Sequence, residues 1–298
     1  MNKRFLLFCA ALLLLIPLGA CSAGSGSGGG NPKEIVLGYV GPITGPYAGL
    51  GLPIHKIAEY AVEEINKSGG INGIPVRYVY RDDTGDPTKS ANYVRELVEK
   101  EGATLMLGSA NSTSVAAALD FLTENKIITM LASASAVNLI DPEKYPYMFR
   151  TQVNNEIMAE GLVQSAIKGG YKSVVLVGDN GNLGTDGIAY TKKYAEQYGL
   201  TFADIVQFTP GSADMTPVAQ NVARANADAV IGFATGQDAA RIVAALDRVG
   251  MTGKYMYLGY MGTALANFAD LAGEEATRYV TYQGLKSGSV PEDEPEPE

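Results

Sequence analysis

Short apolar segments alternate with segments of helical periodicity along most of this 298-residue chain. The pattern predicts strands at 35–40, 76–80, 104–107, 127–131, 173–177, 203–208, 229–233 and 255–258, and helices at 52–67, 87–100, 113–125, 156–168, 184–198, 213–226 and 238–249. Strands separated by helices favour parallel sheets that are covered on both faces. Because the alternation runs twice and is joined through 147–151, we predict an α/β protein with two similar lobes.

The ends and the buried face of the first two helices can be predicted from single residues. Gly69 and Gly70 should end the first helix, and Asp86 followed by Pro87 should begin the second. His55 is expected on the surface of the first helix or at its rim. The inward face of that helix is expected to carry its apolar residues at helical spacing: Ile54, Ile57, Ala58, Ala61, Val62 and Ile65.

Composition excludes several classes of function. The formal net charge is −9 and the pI is about 4.8, which argues against a nucleic-acid partner. With one histidine and two cysteines, the chain cannot build a metal centre of several histidines or a Cys₂His₂ zinc site. We expect no metal and no cofactor.

The first 33 residues carry an export pattern. Lys3 and Arg4 precede an apolar stretch at 5–16, which has the length of a signal-peptide core and is short for a membrane span. Leu18-Gly19-Ala20-Cys21 resembles the bacterial lipobox, in which the cysteine receives lipid. We therefore expect a signal peptide at 1–20, lipid attachment at Cys21, a flexible Gly/Ser tether at 21–33, and anchoring to a membrane that faces the periplasm or the cell exterior.

The turns that follow the strands are small, polar and nearly uncharged. In open parallel sheets ligands bind beyond the carboxyl ends of the strands, where these turns lie. Asn111-Ser112-Thr113-Ser114 begins a helix, and its hydroxyls and free N–H groups suit a carboxylate or serve only to cap the helix. The turns are GPITGPYAGLG (41–51), GSANSTS (108–114), ASASAV (132–137), GDNGNLG (178–184), ATGQD (234–238) and GYMGTA (259–264).

Together these features resemble the type I periplasmic solute-binding proteins of ABC transporters, in particular the leucine/isoleucine/valine-binding family. The resemblance runs from about residue 35 to 282 and implies two Rossmann-like lobes with parallel sheets joined by a hinge, a ligand held in the cleft between them, and a membrane permease as partner. It implies binding without bond chemistry. The segments that carry it are GYVGPITGPYAGLG, AVEEINKSGGINGIPV, YRDDTGDPTKSAN, LGSANSTSVAAALDFLTENKIITMLASASA and IGFATGQDAARIVAALDRVGMTGKYMYLG.

The resemblance also implies ligand-binding positions in the first lobe. Ser112 matches the hydroxyl that holds the substrate carboxylate. Ser133 matches a position whose backbone carbonyl meets the substrate ammonium, and Ser135 matches a threonine that binds through its hydroxyl and its backbone N–H.

Other ligand positions depart from the family pattern. Met261 stands where amino-acid binders have a carboxylate for the ammonium group. Leu183, Thr235 and Leu50 stand at aromatic positions, and Tyr47 is a further residue that can touch ligand. Since a buried ammonium needs an anionic partner, these changes favour a carboxylate with an apolar body. The rival is a branched-chain amino acid whose ammonium meets a shifted partner.

Three acidic residues are candidates for that shifted partner: Asp179, Asp186 and Asp238.

Two other classes of function remain open. A sensor subunit would share the fold but present its ligand to a receptor. A Rossmann-type enzyme would share the alternation, but no glycine-rich phosphate motif follows a strand, no GxSxG occurs, and there is no second histidine.

The predicted domains are a first lobe at 34–150, a second lobe at 151–283 and an acidic tail at 284–298. The tail, PEDEPEPE at its end, has the composition of a disordered segment. Relatives in the family continue with further closing elements, so we expect a shortened variant of reduced stability.

Overall fold

A computed structural model of the chain describes residues 33–264 and 268–282. The predicted signal peptide, the lipid site Cys21, residues 21–32 of the tether and the acidic tail lie outside the described residues. Among the helices that are described, none combines the length and the apolar character that a membrane crossing requires.

The first lobe is built on a sheet of five parallel strands in the order β2-β1-β3-β4-β5. Its strands are β1 (Ile35–Gly41), β2 (Val76–Asp82), β3 (Leu105–Leu107), β4 (Ile128–Leu131) and β5 (Met148–Arg150). Its α-helices are α1 (Ala48–Lys67), α2 (Pro87–Glu99), α3 (Ser112–Ala116) and α4 (Leu119–Glu124), and a 3₁₀ turn spans Val137–Leu139.

The second lobe repeats this architecture with a parallel sheet in the order β10-β9-β8-β6-β7. Its strands are β6 (Ser173–Asp179), β7 (Thr201–Phe208), β8 (Ala229–Phe233), β9 (Met256–Gly259) and β10 (Val280–Tyr282). Its α-helices are α5 (Asn155–Lys168), α6 (Asn182–Tyr198), α7 (Thr216–Ala225), α8 (Gly236–Arg248), α9 (Phe268–Ala272) and α10 (Glu274–Thr277), and a 3₁₀ turn spans Met261–Ala264.

The α/β fold with two parallel sheets is therefore confirmed. The domain limits at 150 and 151 stay a prediction.

Local sequence signals set several element boundaries as expected. Asp86 caps α2 by accepting hydrogen bonds from the N–H groups of Thr88 and Lys89, with Pro87 in the first turn. After α1 the chain turns at Gly69, whose φ of 94° lies in the left-handed region that glycine adopts without strain. Both predictions are confirmed.

The structure corrects the buried face of α1. Ile57 was expected to face inward but is 68% exposed, whereas His55 was expected at the surface and is only 4% exposed. The buried stripe of α1 is Gly51, His55, Ala58 and Val62. This stripe follows the i, i+4, i+7, i+11 spacing of a helix face, and it is the face on which His55 packs against Tyr39 and Tyr78 of the sheet.

The predicted helix at 113–125 is also corrected, because it is two short helices. The N–H of Ala118 bonds to the carbonyl of Val115, three residues back, instead of four residues back. This tighter turn ends α3 and lets α4 begin at Leu119.

Candidate functional site

Both sheets end in a row of turns at the carboxyl ends of their strands, and the two rows contact each other. Several hydrogen bonds join the lobes there, and one of them runs from the Asn155 N–H to the Ser135 carbonyl at 2.9 Å. Tyr260 Oη donates to Ser135 Oγ at 2.8 Å, and the Asn182 N–H donates to Thr113 Oγ1 at 3.1 Å. The Val137 N–H donates to Asp186 Oδ2 at 2.8 Å. We call the space between these two rows of turns the interlobe cleft.

The cleft is closed in this structure. One crevice between the turns is lined by Pro46, Tyr47, Gly49, Leu50, Thr235, Gly236 and Gln237, and it is too narrow for a water-sized sphere. A ligand can reach this crevice only if the lobes separate there, as hinge motions allow.

Ser112 and Ser135 lie together in the first-lobe wall of the cleft, and their contact with a ligand stays a prediction. Ser112 begins α3 and is 4% exposed, and its Oγ accepts the N–H groups of Ser135 and Ala136 at 3.2 and 3.3 Å. A hydroxyl has one donor and two acceptor positions. With both acceptors of Ser112 filled by backbone N–H groups, only its O–H is left, and it can donate to a ligand.

The loop that carries Ser133 and Ser135 accepts hydrogen bonds from Arg150 and Gln152, in the segment that connects the two lobes. Arg150 donates to the carbonyls of Ser135 and Ala136 at 2.8 and 2.6 Å. Gln152 donates to the carbonyl of Ser133. The Ser133 carbonyl, which the resemblance assigns to a ligand ammonium, thus already has a protein donor, and its role stays a prediction.

The second lobe places three acidic side chains along the same edge. Asp179 is the last residue of β6, Asp186 lies in α6, and Asp238 lies in the first turn of α8. Burial raises the pKa of each carboxyl group, and that of Asp179 rises to about 6. This edge is therefore poor in water and rich in potential acceptors.

The apolar site candidates pack into the second lobe instead of meeting the serines. Leu183 is 7% exposed in the apolar cluster that also holds Phe233 and Tyr260, and Met261 packs against that cluster. Thr235 is buried and caps α8, since its Oγ1 accepts the Asp238 N–H at 3.5 Å. Ligand contact by these residues stays a prediction.

Sequence reasoning missed Tyr260 and Arg150. Tyr260 is fully enclosed, and burial raises the pKa of its hydroxyl to about 12. It stands inside the GYMGTA turn that the sequence singled out, so its position could have been found. Arg150 gave a weaker signal in the sequence. It is an isolated positively charged residue at the junction between the two runs of alternating strands and helices.

The described residues contain no group of three or more His, Cys, Asp or Glu side chains placed to hold a metal ion. The cleft turns also offer no histidine, because His55 lies among tyrosines in the first lobe.

The fold has two lobes with parallel sheets, and their turns face each other across the cleft. This arrangement defines a two-lobed binding protein. Residues 34–287 match the profile of the family described as periplasmic binding protein. The Leu/Ile/Val-binding protein homolog 3 of Brucella melitensis biotype 1 is 30% identical over 199 residues, which are 66% of this chain and 53% of that relative. This chain belongs to the periplasmic binding protein family, as a type I member of the Leu/Ile/Val-binding kind.

Solved structures show the same fold. A type 1 periplasmic binding protein from Bordetella pertussis Tohama I superposes with a TM-score of 0.74 at 23% identity, covering 81% of this chain and 66% of that one. An ABC-transporter solute-binding protein from R. palustris, solved in complex with benzoate, gives a TM-score of 0.73 at 21% identity with coverages of 81% and 66%. The chain thus spans about half to two thirds of the length of these proteins.

Proposed function

We propose that this protein is the extracytoplasmic solute-binding component of an ABC importer and that it holds a small carboxylate in the interlobe cleft for delivery to a permease. The observation that carries the proposal is the state of the two serine hydroxyls. Ser112 Oγ accepts two backbone N–H groups, and Ser135 Oγ accepts the Tyr260 hydroxyl. Both serines are therefore left with an O–H to donate.

Two buried hydroxyl donors in the same wall of the cleft favour a ligand group with several lone pairs. A carboxylate supplies about four acceptor positions and carries the charge that strengthens each bond. The relatives agree with this chemistry, since one is named for leucine, isoleucine and valine and another was solved with benzoate. A carboxylate on an amino acid and one on an apolar acid both fit the serines.

The site supports binding more than catalysis. Its serines have no histidine partner among the described residues, and the turns supply hydroxyls and backbone N–H groups in place of a nucleophile paired with a base. A sensor that presents its ligand to a receptor would use the same cleft. The proposed lipid anchor at Cys21 suits either role, since it would keep the protein near a membrane partner.

Isothermal titration of the purified protein with leucine and with benzoate tests the proposal. At least one should bind, and Ser112→Ala should weaken that binding by about ten- to a hundredfold, because a hydrogen bond to a charged group contributes about 1.5 to 3 kcal/mol. Ser165→Ala is the matched control, since Ser165 is exposed on α5.

The control should leave the affinity unchanged. Equal affinities for the Ser112→Ala variant and the unaltered protein would contradict the proposed carboxylate site.

A further inference from the structure

The three acidic residues of the second-lobe edge differ in whether a buried oxygen atom lacks a hydrogen-bond partner. Asp186 Oδ2 accepts the Val137 N–H and the Asn155 amide at 2.8 and 3.2 Å. Asp238 uses both oxygens. Its Oδ2 accepts the N–H of Gly211 at 3.0 Å, and its Oδ1 pairs with Arg241 at 3.2 Å.

Asp179 is arranged differently. Its Oδ1 accepts the N–H groups of Gly181 and Gly184 at 2.8 and 3.1 Å, in the turn that starts α6. Its Oδ2 is buried and has no hydrogen-bond partner among the described residues. Asp179 as a whole is 1% exposed and forms no ion pair with a described residue. It is thus a buried carboxylate with one oxygen engaged and the other free.

The carboxylate of Asp179 lies close to the first-lobe turn that carries Ser112. A Cβ atom placed on Gly181 would lie 3.1 Å from both Asp179 Oδ1 and Thr113 Oγ1, so those two oxygens are at most twice that distance apart. Thr113 follows Ser112 directly in the chain. The charge of Asp179 also contributes to the raised pKa of Tyr260, whose hydroxyl bonds to Ser135.

An unpartnered buried acceptor is costly, and its presence in a folded protein calls for an explanation. Burial is the main cause of the raised pKa of Asp179. The charged neighbour that raises this pKa further is Asp238, which is also negative. Tyr47, on the opposite wall, feels the charge of both carboxylates. A cation relieves this accumulation of negative charge, whereas a neutral hydroxyl donor only adds a hydrogen bond.

The acceptors that the family resemblance assigns to an ammonium group are less suitable in this chain. Met261 offers no carboxylate, and the Ser133 carbonyl already accepts from Gln152. Resting on the proposed function, we infer that Asp179 determines specificity in the cleft, by accepting an ammonium group of a ligand whose carboxylate is held by Ser112 and Ser135.

Matched pairs of ligands test the inference by titration calorimetry: leucine with 4-methylpentanoate, phenylalanine with 3-phenylpropanoate, and 4-(aminomethyl)benzoate with 4-methylbenzoate. The members of a pair differ by the ammonium group alone. In at least one pair the unaltered protein should bind the ammonium-bearing member at least tenfold more tightly. Asp179→Asn should reduce that preference below threefold and leave the affinity for the other member within threefold.

Asparagine keeps an oxygen that can accept from Gly181 and Gly184, so the start of α6 is retained. Asp120→Asn, at an exposed position of α4, is the matched control and should leave the preference intact. Equal binding of both members by the unaltered protein, or equal weakening of both by Asp179→Asn, would overturn the inference. Failure of the proposed function looks different, because then Ser112→Ala changes the affinity for neither member.

Thermal unfolding without ligand provides a second measurement that does not depend on the choice of ligands. The groups that face Asp179 are Asp238, Tyr47 and Tyr260, and none of them neutralises its charge. Asp179→Asn should therefore raise Tm at pH 7.5 and raise it less at pH 5, where the folded protein mostly holds the carboxyl group protonated but the unfolded chain does not. A lower Tm at pH 7.5 would show that the oxygen has a partner inside the protein, and the inference would fall.

Discussion

The two lobes share one strand order but differ in what they present to the cleft and in how their sheets are covered. β1 to β5 and β6 to β10 are connected in the same way, with the first strand of each lobe next to the second and third. The first lobe offers hydroxyl donors at Ser112 and Ser135, whereas the second offers a free acceptor at Asp179. The two lobes thus share one architecture, but the first-lobe edge offers hydrogen-bond donors and the second-lobe edge offers an acceptor.

Coverage of the sheets differs as well. The second sheet lies between two clusters of buried residues, and every residue of β8 is buried. The first sheet has one such cluster, and on its other face Ile128 and Phe149 are each 47% exposed. We conclude that stability is concentrated in the second lobe, while the first lobe supplies serine donors on a sheet that is less completely packed.

The largest expected effect tests this difference in packing. Ile231→Ala, at a fully buried position of β8, should lower the free energy of unfolding by about 2 to 5 kcal/mol, because it removes apolar contacts and leaves a cavity. Ile128→Ala makes the same change in β4 at a half-exposed position and should cost less than about 1 kcal/mol. Chemical denaturation of the three proteins measures both values.

Equal losses for the two substitutions would remove the difference between the lobes. A larger loss for Ile128→Ala would reverse it.

The sequence predicts the architecture well because strands and helices leave periodic signals. Val174 to Val177 and Ala229 to Phe233 are short runs of apolar residues, which are typical of buried strands between covering helices. The resemblance placed Ser112 and Ser135, and the structure brings these two residues together.

The contacts across the cleft could not be read from the sequence. They join residues far apart in the chain, such as Tyr260 and Ser135, which are 125 positions apart. His55 was misplaced for a related reason, since its burial depends on tyrosines of β2 that sequence periodicity in α1 does not report. The free oxygen of Asp179 likewise emerges only when the partners of all three carboxylates are compared.

A smaller effect is expected where the crossing chain supports the first-lobe serines. Arg150→Met removes one donor from each of two carbonyls of the serine loop and should cost about 1 to 2 kcal/mol. A hydrogen bond contributes about 1 kcal/mol net, and the N–H groups of Asn155 and Leu139 still bond to the same carbonyls. It should also weaken carboxylate binding through displacement of Ser135. Arg150→Lys keeps a cation and should restore part of both losses.

Denaturation and calorimetry on the same samples separate the two consequences. Full stability and full affinity in Arg150→Met would show that the loop holds its shape without support from the crossing chain.

The smallest expected effect is on how the free energy of unfolding depends on pH, and here too the two lobes differ. His55 stacks against Tyr39 and Tyr78 in the first lobe, and burial lowers its pKa below the usual 6.5. Between the folded pKa of His55 and 6.5, the unfolded chain binds more protons than the folded protein does. The stability that the neutral imidazole contributes above pH 6.5 is therefore lost as pH falls through this range. Asp179 acts in the opposite direction, because its raised pKa costs stability as pH rises from 3.8, the ordinary value, to about 6.

His55→Phe keeps an aromatic ring in the stack and removes the titrating group. The unaltered protein should lose more of its free energy of unfolding between pH 7.5 and pH 5 than this variant does, as measured by urea denaturation at both pH values. The Asp179→Asn variant should lose more stability over this interval than the unaltered protein does, because the substitution removes a cost that is larger at pH 7.5 than at pH 5. A His55→Phe variant that loses as much stability as the unaltered protein would assign the acid sensitivity to carboxylates instead of to the first-lobe histidine.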